Sequence, residues 1–99
     1  MFLANPNNPT GGLTSADDIE TVLKTGLAVA VDETYYEFCG VTMLPLQKRY
    51  PNLIIMRSFS KWAALAGIRV GYAIVAPDMA RQVHKIRMPF NLNRAGYVA

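Results

Sequence analysis

Thr14-Ser15-Ala16-Asp17-Asp18-Ile19-Glu20-Thr21-Val22-Leu23-Lys24-Thr25-Gly26-Leu27-Ala28-Val29-Ala30-Val31-Asp32 reads as a helix followed by a strand. Thr14 and Ser15 offer cap hydroxyls, and Asp17 and Asp18 put acids in the first turn, where the positive end of the helix dipole favours them. Ile19, Val22 and Leu23 recur at i, i+3 and i+4, which gives the helix one buried stripe. Gly26 ends it. Leu27 to Val31 is then a continuous apolar run of strand length, the pattern of a parallel strand covered on both faces. Phe2-Leu3-Ala4 has the look of the end of an earlier buried strand, so strand, helix and strand make a βαβ unit with a right-handed crossover. The fold class is α/β with a mostly parallel sheet covered by helices.

Working outward, Asn5 to Gly12 supplies Asn-Pro, Asn-Pro and Gly-Gly, all turn chemistry, and sits as a loop at a strand's carboxyl end. Val41 to Asn52, with Pro45 and Pro51, reads as a helix-poor connector. Leu53 to Met56 is a third strand and Val70 to Val75 a fourth. Too few residues separate them for a helical crossover of a dozen or more, so the fourth strand runs antiparallel or lies elsewhere in the sheet. Pro77 opens another helix at its preferred first position, with Met79, Val83 and Ile86 on one side and Pro89 as its stop. His84 reads as a surface residue of that helix. Asn91 to Ala99 begins a further element.

The chain's 99 residues and 52% hydrophobic content suit one small globular domain. Its apolar runs fall far short of the roughly 20 residues a membrane helix needs, and the opening Met-Phe-Leu-Ala is too short for a secretory signal. A single cysteine, Cys39, makes no internal disulfide; it reads as a small packed residue and agrees with a cytoplasmic setting. The net charge is +3. Arg81, Lys85, Arg87 and Arg94 cluster late, but they alternate with apolar residues at helical spacing and match no nucleic-acid motif, so they read as a solvated helix face.

The chemistry gathers in Arg57-Ser58-Phe59-Ser60-Lys61-Trp62-Ala63-Ala64-Leu65-Ala66-Gly67-Ile68-Arg69. Lys61 follows an apolar strand and precedes an apolar run that offers it little water. Desolvation disfavours an ammonium, which would make its amine a nucleophile able to form a Schiff base with an aldehyde. Ser58 and Ser60 serve either as helix caps or, with Arg69, as donors converging on a phosphate, for which arginine's planar fork is suited. A phosphorylated aldehyde held beside a lysine describes pyridoxal 5′-phosphate (PLP). Asp32 ends its strand at the carboxyl edge, where open α/β sheets place ligands. Tyr35 is either a core aromatic or a second polar group at that edge.

Three motifs in order, Asn5-Pro6-Asn7-Asn8-Pro9-Thr10-Gly11, Val31-Asp32-Glu33-Thr34-Tyr35-Tyr36-Glu37-Phe38 and Ser58-Phe59-Ser60-Lys61 through Ile68-Arg69-Val70-Gly71-Tyr72, resemble the fold-type I PLP-dependent aminotransferases. Tyr36-Glu37-Phe38 and Arg87-Met88-Pro89-Phe90-Asn91-Leu92-Asn93 look most like the histidinol-phosphate branch. The resemblance implies that residues 1–99 are a part of a larger PLP-binding domain, lacking its N-terminal portion and the C-terminal small domain, and that the chain alone is inactive. It further implies an antiparallel strand after Arg69 and a long helix beginning near the C-terminus. By the same resemblance Lys61 holds the cofactor and then moves a proton. Asp32 pairs with the pyridine nitrogen, and Asn8 and Tyr35 bond the ring oxygen. Ser58, Ser60 and Arg69 anchor the phosphate, and the Asn8–Pro9 bond is cis. The implied partners are a small-molecule amino donor, a 2-oxo acid and a second copy of the full-length enzyme. A threonine-phosphate type decarboxylase, an aromatic aminotransferase, an aminotransferase-like sensor domain of a regulator and an inactive truncation stay open beside that reading.

Overall fold

The computed structural model describes all 99 residues. Strand β1 (Phe2–Ala4) leads into helix α1 (Ala16–Leu23), strand β2 (Val29–Asp32) and the single turns α2 (Tyr36–Cys39) and α3 (Leu44–Gln47). Strand β3 (Leu53–Ser58), a 3₁₀ turn at Ala66–Ile68, strand β4 (Gly71–Ile74), and helices α4 (Pro77–Ile86) and α5 (Arg94–Val98) complete the chain. The sheet order is β1-β2-β3-β4, with the first three strands parallel and β4 antiparallel to β3.

Ser15 is the N-cap of α1. Its Oγ accepts from the Asp18 backbone N–H at 3.1 Å and donates to the Asp18 carboxylate at 2.6 Å, an N-cap tied twice to one residue. Gly26 ends the turn after α1 with φ +83°, a conformation that favours glycine. Asn52 ties the far end of α1 to β2 by donating to the carbonyls of Leu23 and Leu27.

The core lies on one face of the sheet. Strand pleating sends alternate residues to opposite faces, and the register pairs Val29 with Leu53 and Val31 with Ile55. Ile19 and Leu23 of α1 and Met43 and Leu46 from around α3 cover these rungs, and all eight side chains are buried. On the other face Ala30 is also buried, so residues 29–31 meet the expectation of a doubly covered strand. Gly71 lets β4 close on β3, since a Cβ there would lie 2.8 Å from the Arg57 carbonyl oxygen.

Three expectations need correction. Phe2 is in a strand but 81% exposed, because β1 is an edge strand and no helix covers that side chain. Strand β2 starts at Val29, leaving Leu27 exposed. The connector at 41–52 contains α3, in which Pro45 occupies the first turn, where a missing N–H costs nothing, and Leu46 docks into the core. Helix α4 begins at Pro77 as read; none of its residues is buried, with Val83 49% and Ile86 83% exposed. His84 is exposed, as expected.

Candidate active site

The loop after β1 is built on Asn5, which is fully buried. Its backbone N–H donates to the Asp32 carbonyl at 2.9 Å, extending the β1–β2 ladder. Its side chain accepts from the Thr14 N–H at 2.8 Å and donates to the Thr14 carbonyl, so one amide closes both ends of the loop. Within the loop the Asn7 and Gly12 backbones are bonded, and the Asn7 side chain donates to the Thr10 hydroxyl. Asn5–Pro6 and Asn8–Pro9 are both cis. The second agrees with the expectation. Asn8 lies at the carboxyl edge of β1 and β2, beside Ala4 and Asp32.

Asp32 ends β2 at the same edge, half-buried. Its Oδ1 accepts from the Thr34 N–H at 2.9 Å and the Thr34 hydroxyl at 2.6 Å. The Asp32 Oδ2 has no hydrogen-bond partner within the chain. A cleft of about 200 Å3 opens here, with Asn8, Asp32, Tyr35 and Lys61 in its wall. The side chains of Asn8, Tyr35 and Lys61 likewise make no hydrogen bond within the chain. Cys39 is half-buried on the wall of a neighbouring pocket that shares Asn8 and Tyr35.

Ser58, Ser60 and Arg69 do not line this cleft. The Ser58 hydroxyl donates to Ser60 Oγ at 2.8 Å and accepts from the Ser60 N–H at 3.0 Å. The Arg69 guanidinium donates to the Ala66 carbonyl at 2.9 Å, and its backbone lies in the left-handed region at φ 57°. Ala64 is left-handed too, at φ 55°. These turns divert the chain after Lys61, so the run Trp62–Ala66 does not close over the lysine. Lys61 is exposed and Trp62 is 46% exposed, contrary to the desolvated setting read from the sequence.

A second set of residues, missed in the sequence reading, supports the first. Glu33 is fully buried next to Asp32. Its Oε2 accepts from Nε and Nη2 of Arg57 at 3.1 and 2.9 Å, and its Oε1 accepts from the Met43 N–H at 2.6 Å. The Thr42 hydroxyl donates to the same carboxylate and accepts from Arg57 Nη2. The Arg57 guanidinium lies 3.7 Å from the Tyr36 ring centroid, a cation–π contact. Burial works against the arginine's charge, but Glu33 and Tyr72 outweigh it and hold the guanidinium pKa above its ordinary value. Parity was the available signal: Glu33 continues the core face of Val29 and Val31, and a carboxylate buried there requires a cation.

The family model for aminotransferase class I and II matches residues 1–99. The chain belongs to that family. It is 48% identical to a histidinol-phosphate aminotransferase of Dehalococcoides mccartyi, over 100% of this chain and 28% of that protein. Among solved structures, the histidinol-phosphate aminotransferase of Sinorhizobium meliloti in complex with pyridoxal-5′-phosphate matches with a TM-score of 0.81 and 33% identity, over 96% of this chain and 28% of that one. L-threonine-O-3-phosphate decarboxylase from Porphyromonas gingivalis matches with a TM-score of 0.82 and 28% identity, over 96% of this chain and 30% of that one. The mostly parallel four-stranded sheet is thus part of the α/β fold of the PLP-dependent transferases, and the chain spans under a third of each relative's length. The cleft suits PLP in its donor set: a free carboxylate oxygen for a pyridinium, an amide and a phenol for a ring oxygen, and a primary amine for an aldehyde.

Proposed function

We propose that this chain forms the PLP-holding part of an aminotransferase that moves an amino group from a phosphorylated amino alcohol of the histidinol-phosphate kind to a 2-oxo acid. The observation that carries the reading is the convergence of Lys61, Asp32, Asn8 and Tyr35 on one cleft from three separate loops and strand ends. The 48% identity to a histidinol-phosphate aminotransferase favours that substrate class.

When bound, PLP supplies a sink for the electrons left behind as the α-carbon–hydrogen bond of the amino donor breaks. Asp32 Oδ2 holds a proton on the ring nitrogen and so keeps the ring cationic. Asn8 and Tyr35 orient the ring oxygen. Lys61 would hold the cofactor through its amine and, when free of it, would take the proton from the donor's α-carbon on Nζ and deliver it to the cofactor's carbon, the net shift that amino transfer requires. Ser58, Ser60 and Arg69 provide donors for the phosphate. That role asks Arg69 to leave the Ala66 carbonyl. As a homodimeric enzyme, the full-length protein would present this cleft to a neighbouring subunit.

Histidinol phosphate with 2-oxoglutarate and, separately, threonine phosphate are the substrates to offer the PLP-loaded full-length protein that contains this chain. Glutamate formation that Lys61→Ala abolishes supports the reading. Carbon dioxide release from threonine phosphate without amino transfer would replace it with a decarboxylase.

A further inference from the structure

The Glu33–Arg57 pair occupies a particular place in the sheet. The register that pairs Val29 with Leu53 and Val31 with Ile55 continues to Glu33 and Arg57, and the Glu33 N–H donates to the Met56 carbonyl at 2.8 Å. The ion pair is therefore the last rung of the core face, at the carboxyl edge where the cleft opens. Each member adjoins a residue assigned to the cofactor: Glu33 follows Asp32, Arg57 precedes Ser58, and Tyr36, stacked on the guanidinium, follows Tyr35. Strand alternation turns Asp32 and Ser58 to the opposite face from the pair. The pair thus sits behind the site and makes no approach to it.

No residue beyond Ile55 is fully buried. The Arg57 side chain, 10% exposed, is the last strongly held group before Lys61. Its partner's carboxylate takes four donors: two N–H groups of Arg57, the Thr42 hydroxyl and the Met43 N–H. Two guanidinium N–H groups converging on the one oxygen, Oε2, fix the arginine's orientation as well as its distance. The connector carrying Thr42 and Met43 is pinned by the same group.

We propose that Glu33 and Arg57 are positioning residues, a buried clamp that sets the Asp32 side of the cofactor cleft against the Ser58–Lys61 side. The proposal rests on the PLP reading of the cleft. A buried pair need not stabilise a fold, because an apolar or neutral replacement of matched shape often does as well, whereas removing one partner strands the other's charge. That distinction separates a clamp for the site from a device for folding.

The test compares Glu33→Gln, Arg57→Met and the charge-free double variant Glu33→Gln with Arg57→Met. In the double variant the new amide oxygen still serves the Met43 N–H, and the thioether still packs on Tyr36. Thermal melts followed by circular dichroism report the fold. PLP titration followed by fluorescence of the single tryptophan, Trp62, next to Lys61, reports cofactor affinity, and borohydride trapping with peptide mapping reports where it attaches. Single variants are expected to lower the melting temperature. The double variant is expected to recover most of that loss while its PLP affinity stays down by about tenfold or more, the effect typical of losing a supporting partner behind a ligand-holding group, with label spreading from Lys61 to other lysines. A double variant that regains both stability and affinity overturns the proposal, since the pair would then act on the fold alone. A double variant that fails to fold overturns it for the same reason. If the unmodified chain takes up no PLP, the cofactor reading falls and the clamp with it; loss confined to the variants bears on the clamp only.

Discussion

Residues 1–58 and residues 59–99 differ in how they are held. All eleven buried residues lie between Asn5 and Ile55, and none follows. The first part fixes Asn8, Asp32 and Tyr35 through a buried asparagine, a strand end and the Glu33 network. The second part carries Lys61 and Arg69 on a turn with two left-handed residues, followed by β4 and two helices that expose Ile86, Tyr97 and Val98, with Phe90 exposed in the turn between them. The contrast teaches that Asn8, Asp32 and Tyr35 are set by this chain's own core, while Lys61 and Arg69 are carried on a turn held by local bonds.

The comparison breaks most visibly in stability. Leu53→Ala, which empties a fully buried position on the central rung, should cost about 2–5 kcal/mol. Ile86→Ala, at a position 83% exposed, should change stability by no more than about 0.5 kcal/mol. Urea unfolding of the two variants checks this, and equal losses would mean that the two parts are packed alike.

A smaller effect is expected from pH, and it belongs to the first part. The Tyr50 hydroxyl donates to Glu20 at 2.6 Å, and Arg49 and Lys24 are close by. The Tyr50 bond, with the two cations, holds the Glu20 pKa below its ordinary 4.5. The same bond raises the Tyr50 pKa above 10.0. Glu20's contribution is complete above its unfolded pKa and is lost as pH falls through the depressed folded value; Tyr50's is complete below 10.0 and is lost as pH rises through the raised one. Glu20→Gln should therefore flatten the stability profile at both the acid and the alkaline end, leaving neutral pH the place where variant and parent differ most. Melting curves across pH 3 to 11 decide it, and an unchanged difference at all pH values would remove the ion pair from the account.

The smallest effect is in the second part. Ala64 at φ 55° carries a left-handed backbone that glycine adopts without penalty. Ala64→Gly should stabilise the turn by up to about 1 kcal/mol, read as a small rise in melting temperature; a fall would mean the turn prefers alanine.

Much of the fold was legible because local chemistry dictated it. The Ser15 cap, the apolar run ending in Asp32 and the short path from β3 to β4 each allow few structures. The strand-end rule placed Asp32 at the ligand edge, while bringing Asn8, Tyr35 and Lys61 to it was legible only through the resemblance to the aminotransferases. Coverage was not legible. Phe2 and Lys61 adjoin apolar sequence, but burial depends on a partner element reaching them, which no local pattern reports. Glu33 was passed over because its neighbour Asp32 had an evident role, though strand parity pointed Glu33 into the core.

The measurement that tests the central claim most directly is borohydride reduction of the PLP-treated chain followed by peptide mapping. The account predicts a single labelled site at Lys61, absent in Lys61→Ala, with a reducible visible band to match. Label distributed over Lys24, Lys48 and Lys85, or label that survives Lys61→Ala at the same yield, would contradict it.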